Sequence, residues 1–422
     1  MTSLFTPPAP GRTPDPNLAH RRAQVTVTLT RDDGAPLAGR DVTARQTSQS
    51  FGFGCIGFEL LDHITGESQD PDYDAGLAEH WLGVFNRATL PFYWGMFEPE
   101  RGRPRTERLL AGARWFVERG IEVKGHPLVW HTVTAPWLLD LEVDEIERVQ
   151  RDRIRRDVSE FAGLIDTWDA INEVVIMPVF TAEDNGITRL AHERGRIEMM
   201  RLAFDEARAA NPDATLLLND FDMSTAYECL IEGALEAGIR IDRLGLQSHM
   251  HQGAWGEDRT LEVLDRFSRF GIPIHFTENT ILSGDLMPSH IRDLNDWQVD
   301  HWPTSEEGEA RQAEELEQHY RTLYSHPSVE SITYWGLPDR GMWLGAPGGL
   351  LRPDGSPKPA YHRLKRLVTE DWRTPEATLR TDDDGRLQFE GFLGRHELTV
   401  GGATALLDVD APGEVTAEVV VG

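Results

Sequence analysis

Apolar positions along this chain follow two rhythms. From residue 51 to about 369, short apolar runs alternate with longer stretches whose apolar residues recur at helical spacing. The runs "FGFGCIG", "VFNRATL", "IEVKGHPLVW", "LIDTWDAIN", "ATLLLND", "RLGLQSH", "IPIHFTE" and "ESITYWG" read as eight strands. Between them lie helical stretches such as "RTERLLAGARWFVERG", "EIERVQRDRIRRDVSEFAGL" and "EARQAEELEQHYRTLYS". Several close on a Gly or Pro that stops a helix. Eight strand–helix repeats over roughly 320 residues predict an α/β fold, a (β/α)8 TIM barrel, rather than a doubly wound sheet with fewer strands.

The ends of the chain alternate with period two instead. "AQVTVTLTRDDGAPLAGRDVTARQT" does so around a "DDG" turn, and "GRLQFEGFLGRHELTV" and "EVTAEVVVG" do so near the C-terminus. Two strands before the barrel and about five after it are each too few for an independent core. They are therefore expected to pair as one accessory β-sandwich, interrupted in sequence by the barrel. This gives a flexible N-terminus over 1–22, sandwich strands over 23–47, the catalytic barrel over 48–369 and further sandwich strands over 370–422.

Composition narrows the partners. The chain has 422 residues, 40% of them hydrophobic, which is ample for a packed core. Lys and Arg total 42 against 70 Asp and Glu, a net charge of −28. Such a surface repels phosphate backbones and anionic membranes, so neither nucleic acid nor membrane is expected as a partner. Simple solubility accounts for the same composition. Cys55 and Cys229 are the only cysteines and lie in unrelated segments, so no disulfide framework or Cys-rich metal site is expected. Residues 1–22 hold no apolar leader core, and no run reaches ~18 apolar residues. The expected location is cytoplasmic, or secreted if a leader has been trimmed away. Oligomeric state is left open.

A barrel carries its chemistry at the C-terminal ends of its strands. Strand three ends in "GHPLVWH", supplying His126, Trp130 and His131, and strand four in Asn172 and Glu173. Strand six brings Gln247, Ser248 and His249, strand seven Thr277, Glu278 and Asn279, and strand eight Trp335, Asp339 and Trp343. A single strand-end glutamate usually caps or ion-pairs. Two of them across one barrel mouth, among histidines and tryptophans, suit glycoside hydrolysis, in which one carboxylic acid protonates the leaving oxygen and the other attacks the anomeric carbon. Environment and mutual repulsion would keep Glu173 neutral and Glu278 ionised. This chemistry needs neither a metal nor a cofactor, and its partner is an oligosaccharide or polysaccharide.

These segments resemble glycoside hydrolase family 10, best known for endo-β-1,4-xylanases. "GHPLVWH" is similar to that family's G-H-x-L-V-W-H, "WDAINE" to W-D-x-x-N-E, "GLQSH" to G-L-Q-S-H and "FTEN" to the segment carrying the nucleophile. "LNDF", "RQA", "WG" and "KPAY" fall in the family's order, and the likeness spans residues 51–369. The resemblance implies a retaining mechanism with Glu173 as acid/base and Glu278 as nucleophile. It further implies that Asn172 donates to the sugar 2-hydroxyl, that Gln247 and His249 orient the nucleophile, and that His131 contacts the same sugar.

The chain also departs from the family. Where xylanases of this family read E-N-E-M-K-W and grip the non-reducing sugars, residues 89–94 read "TLPFYW". Leu90, Pro91 and Tyr93 thus replace hydrogen-bonding groups, which implies a glycone other than plain xylose. Asn279 is read as replacing the family's Asp after the nucleophile. Trp335 and Trp343 are either sugar-stacking platforms or core, and His126 is either a binding residue or a satisfied core histidine. The stretch 282–308 is long for a strand–helix loop, and its Trp297 and Trp302 form either a lid or leaving-group subsite, or a packed loop core. Two alternatives stand beside the altered glycosidase: an ordinary endo-β-1,4-xylanase and a non-catalytic carbohydrate-binding barrel. The presence of both glutamates argues against the last.

Overall fold

Each of the eight apolar runs contributes a parallel strand to a closed ring in the computed structural model, which describes residues 16–421. The strands are β3 (Gly52–Ile56), β4 (Arg87–Pro91), β5 (Glu122–His126), β6 (Thr167–Asn172), β7 (Thr215–Asp220), β8 (Arg243–Met250), β9 (Ile274–Ile281) and β10 (Val329–Tyr334). They follow sequence order around the barrel, and β10 closes onto β3. Strands covered on both faces should be apolar throughout rather than alternating, and β9 is buried at every position. The helices between them lay one apolar face on the strands. The helix Thr106–Val117, for example, buries Leu109, Leu110, Ala113 and Phe116. The longest, Glu306–Tyr324, starts where the Ser305 hydroxyl accepts Gly308 N at 3.0 Å, with Glu306, Glu307 and Glu309 in its first turn.

By compactness the chain divides into two units. One is Phe53–Arg363, the barrel, and the other joins the described residues up to Gly52 to those from Leu364 onward. The expected flexible stretch 1–22 lies mostly outside the described residues. Its end, Pro16–Arg21, forms a short 3-10 helix, and β1 (Arg22–Thr30) starts directly after it.

The second unit is a β-sandwich built from both ends of the sequence. Strand β1 lies between β12 (Arg386–Phe392), antiparallel to it, and β15 (Gly413–Val420), parallel to it. The opposing sheet runs β11 (Ala377–Arg380), β2 (Asp41–Gln49), β13 (Gly394–Val400) and β14 (Ala403–Val409). The "DDG" segment is a turn, closed by Gly34 N on Arg31 O at 2.9 Å, but β1 and β2 do not form a hairpin across it. They separate into opposite sheets because their apolar faces must meet: Val25, Val27 and Leu29 of β1 share one core with Val42 and Ala44 of β2. Each fully buried Val or Leu there contributes about 1.5–3 kcal/mol.

Candidate active site

Register brings the polar strand ends together in pairs. Asn172 lies beside Asn219, Gln247 beside Glu278 and His249 beside Thr280. Gly245 makes room for this crowding, since a Cβ there would sit 2.4 Å from Asn219 Oδ1. Glu173 follows the last residue of β6 with φ of 59°, a left-handed conformation that costs a non-glycine residue about 1–3 kcal/mol. Its N–H donates to Asn219 O at 2.8 Å, fixing the direction in which the side chain leaves the strand.

Glu173 is surrounded by donors yet held neutral. Trp130 Nε1 donates to Oε2 at 2.8 Å, and Asn172 Nδ2 and Gln247 Nε2 approach Oε1 at 3.2 and 3.3 Å. Burial, and after it the negative charge of Glu278, push its pKa up to about 8. Buried Asp220 adds to this effect. Glu278 is driven the opposite way. Burial alone would raise it, but the His249 hydrogen bond and the charges of His126, His249 and Lys124 together take it below the usual glutamate value. Its Oε2 meets His249 Nε2 at 3.1 Å and its Oε1 accepts from Asn219 Nδ2 at 2.9 Å. Two neighbouring carboxyl groups are thereby separated into an acid and an anion.

The expected residues sort into three groups. Trp130, Asn172 and Gln247 touch the acid. The donor of Gln247 reaches Asn172 Oδ1 at 3.1 Å and Glu173, not Glu278, which corrects its expected contact. His249 alone of the expected pair touches Glu278. His131 lies with Nε2 3.9 Å from Glu173 Oε2 under Phe180, and burial lowers its pKa to about 4, so it is a neutral group.

His126 is buried, with Nδ1 2.6 Å from Asp169 Oδ2, and Lys124 Nζ donates to the same oxygen at 2.7 Å. Trp335 is 8% exposed and meets Phe58, His126 and His249 edge-on, so it packs into the floor. Trp343 is 37% exposed and packs against His249 and His251 at 5.1 and 5.3 Å.

Of the "TLPFYW" residues, Tyr93 stands against the site. Its ring packs on Trp130, His126 and Phe58 at 5.3, 5.7 and 5.7 Å. Burial first, and then the acidic groups of Glu278, Glu173 and Asp169, hold its phenol well above its ordinary value. Leu90 does not line the site. It is fully buried and turned outward, close to Gly57 and Gly112, because alternate strand residues point to opposite faces.

The same alternation turns Asn279 away from Glu278's face. Its amide donates to Phe276 O and Thr333 O at 3.2 and 2.8 Å and accepts from His319 Nε2 at 3.0 Å, so it ties β9 to its neighbours outside the face that carries Glu278. Thr280 is the residue that shares Glu278's face, and its hydroxyl lies 3.0 Å from His249 Nδ1.

Asn219 is the residue sequence reasoning passed over. Its Nδ2 donates to both Asn172 Oδ1, at 2.7 Å, and Glu278 Oε1, and its Oδ1 accepts from Thr277 Oγ1 at 2.6 Å. One buried amide thus orients both halves of the site. The polar end of "LLLND" in an otherwise apolar strand was the available signal. Among the described residues no group of three or more His, Cys, Asp or Glu side chains converges as a metal cage.

Known proteins resemble this chain in sequence and in fold. The chain is 26% identical over 390 residues to the anti-sigma-I factor RsgI6 of Acetivibrio thermocellus, covering 90% of this chain and 45% of that protein. It thus spans less than half the length of that relative. It is also 26% identical over 295 residues to endo-1,4-beta-xylanase B of Thermotoga neapolitana, covering 66% of this chain and 78% of the xylanase. Xylanase 10B from Thermotoga petrophila RKU-1, solved in complex with xylobiose, superposes with a TM-score of 0.62 at 23% identity, over 76% of this chain and 95% of that one. At that identity the superposition establishes the fold. A family model matches residues 91–367, a narrower span than the motifs suggested, and the chain belongs to Glycosyl hydrolase family 10.

Proposed function

We propose that the chain is a retaining glycoside hydrolase that cleaves β-linked oligo- or polysaccharides by double displacement. The observation carrying this reading is the opposed ionisation of Glu173 and Glu278 within one hydrogen-bonded frame. Glu278 attacks the anomeric carbon while Glu173 gives its proton to the departing oxygen. Glu173, now a carboxylate, then takes a proton from the water that releases the sugar from Glu278, and the anomeric configuration is retained. Asn172 is oriented for the sugar 2-hydroxyl, because Asn219 and Gln247 occupy its carbonyl oxygen and leave its N–H groups facing Glu173 and the cleft.

The glycone is proposed to differ from plain xylose. Tyr93 presents an aromatic ring where relatives of this family carry hydrogen-bonding groups, and the family match begins at residue 91, within the departing segment. Each neutral hydrogen bond lost to a sugar weakens binding by about 0.5–1.5 kcal/mol, or 1.5–3 where a charged group supplied it. Two or three such losses lower catalytic efficiency roughly 100- to 1,000-fold. The test is a rate comparison of linear xylooligosaccharides with a panel of other β-linked oligosaccharides. Slow xylohexaose cleavage beside a fast alternative supports the reading, and efficient xylohexaose cleavage returns the chain to the ordinary endo-xylanases.

A further inference from the structure

The backbone holds Glu173 and Glu278 in different ways. Glu278 lies inside β9, which pairs with β8 on one side and β10 on the other, so strand geometry fixes the direction of its side chain. Glu173 lies one residue past the end of β6, in its left-handed conformation, and the chain then turns into the 3-10 helix Met177–Val179. A non-glycine residue keeps such a conformation only where its surroundings over-determine it. Two restraints act on Glu173 itself, its N–H on Asn219 O and its carbonyl accepting from Met177 N at 3.3 Å.

A further restraint acts two residues on, at Val175. Its N–H donates to Asp220 Oδ2 at 3.0 Å, and its carbonyl accepts from two nitrogens of Arg196, Nε at 2.8 Å and Nη2 at 2.6 Å. Asp220 ends β7 and is fully buried, and its Oδ1 accepts from Asp222 N at 3.0 Å, so the carboxyl is fixed at both oxygens. Arg196 is the first residue of the helix Arg196–Ala210 and is half-buried. In a chain with 70 Asp and Glu, its guanidinium is ion-paired with none of them among the described residues, and two of its N–H groups converge instead on one peptide carbonyl. Hydrogen bonds from a charged donor are roughly twice as strong as neutral ones. The contact also ties together the two ends of the excursion that carries the 3-10 helix and the helix Gly186–Arg194.

We propose that Arg196 and Asp220 are positioning residues for the acid: by gripping Val175 from both sides, they hold the Glu173 backbone in the conformation that aims its carboxyl at the departing oxygen. The inference rests on the glycosidase reaction proposed above. Without the grip the turn relaxes and the carboxyl moves off the leaving oxygen, and a misplacement of about 1 Å costs on the order of 100-fold in rate. Glu278, held within its strand, keeps its place. The loss therefore falls on substrates whose leaving group needs a proton, and spares those whose leaving group does not.

The test compares Arg196→Ala with the parent, in the full chain, on two β-glycosides of the glycone it turns over fastest, one with a good phenolic leaving group and one with a poor leaving group. The expected result is a loss of about 10- to 100-fold in kcat/KM on the poor leaving group and less than about threefold on the good one. Arg196→Lys, which keeps one charged donor for the Val175 carbonyl, should fall between the alanine variant and the parent. Equal losses on the two glycosides, no loss on either, or a lysine variant no better than alanine overturns the proposal. Amide exchange over the peptide spanning 173–179, followed by mass spectrometry, reads the grip without turnover. Exchange about tenfold faster in Arg196→Ala is expected, and unchanged exchange overturns the proposal. A parent that hydrolyses no β-glycoside rejects the glycosidase reading instead, and the exchange result then decides the grip by itself.

Discussion

His249 Nδ1 faces the hydroxyl of Thr280 at 3.0 Å, while its other nitrogen faces Glu278. The hydroxyl thus holds the ring with Nε2 turned to Glu278. Thr280→Val removes that hold. The expected outcome is a roughly tenfold loss in kcat, with the acid limb of the pH profile moved to higher pH and Thr280→Ser restoring both. An unchanged profile in the valine variant would show that the hydroxyl does not position His249.

Asn219 joins the two halves of the site, so its loss should act on both. Asn219→Ala removes a hydrogen bond to an ionised carboxylate worth about 1.5–3 kcal/mol, a roughly 10- to 150-fold loss in kcat/KM. Asn219→Asp places a second negative charge against Glu278, which raises the nucleophile's pKa and should shift the acid limb upward. Steady-state rates across pH for both variants check this, and a loss without any shift in the aspartate variant contradicts it.

The opposed pKa shifts fix the shape of the wild-type profile. Activity should fall below the usual glutamate range as Glu278 takes a proton, and fall again as pH rises through about 8, where Glu173 loses the proton it must donate. Stability follows the same sign. Between the unfolded value of 4.5 and the folded value near 8, the folded chain holds a proton on Glu173 that the unfolded chain lacks, so rising pH in that window destabilises it. Glu173→Gln should therefore raise the melting temperature by about 2–4 °C near pH 8.5, and by less at pH 5. An equal gain at both pH values would contradict a raised Glu173 pKa.

Glu173→Ala should separate substrates by leaving group. Glycosides whose leaving groups need little protonation should still form the glycosyl-enzyme at nearly wild-type rates, while poor leaving groups lose several orders of magnitude. Equal losses on both classes would remove Glu173 from the role of acid.

Much of this arrangement was legible in the chain, for physical reasons that can be named. The barrel strands were readable because short buried apolar runs alternate with helices that have one apolar face, as β3 and Glu306–Tyr324 illustrate. Glu173 and Glu278 stood out because carboxylates at the ends of such strands have no packing role. Facing was harder to read. The period of two puts Thr280, not Asn279, beside Glu278 and sends Leu90 away from the site, a rule available from sequence but not applied to these positions. Asn219 was hidden because its importance lies in three partners from two other strands, β6 and β9. The separation of β1 and β2 into opposite sheets depended on which faces meet across the sandwich, which a turn motif alone does not specify.

The sandwich makes its own prediction. Strand β1 has its neighbours in β12 and β15, and β2 in β11 and β13, so removing residues 376–421 strips both N-terminal strands of every sheet partner. The truncated chain should be insoluble. A soluble product with unchanged activity would show that these strands are dispensable.

The central claim is that Glu278 forms a covalent bond to the sugar. An activated 2-deoxy-2-fluoro β-glycoside of a sugar the protein hydrolyses slows release of that intermediate, so that it accumulates, and peptide mass mapping then locates it. Stoichiometric labelling is expected on the peptide containing Glu278, and none in Glu278→Ala. A label on another carboxylate, or none while the parent glycoside is turned over, would contradict it.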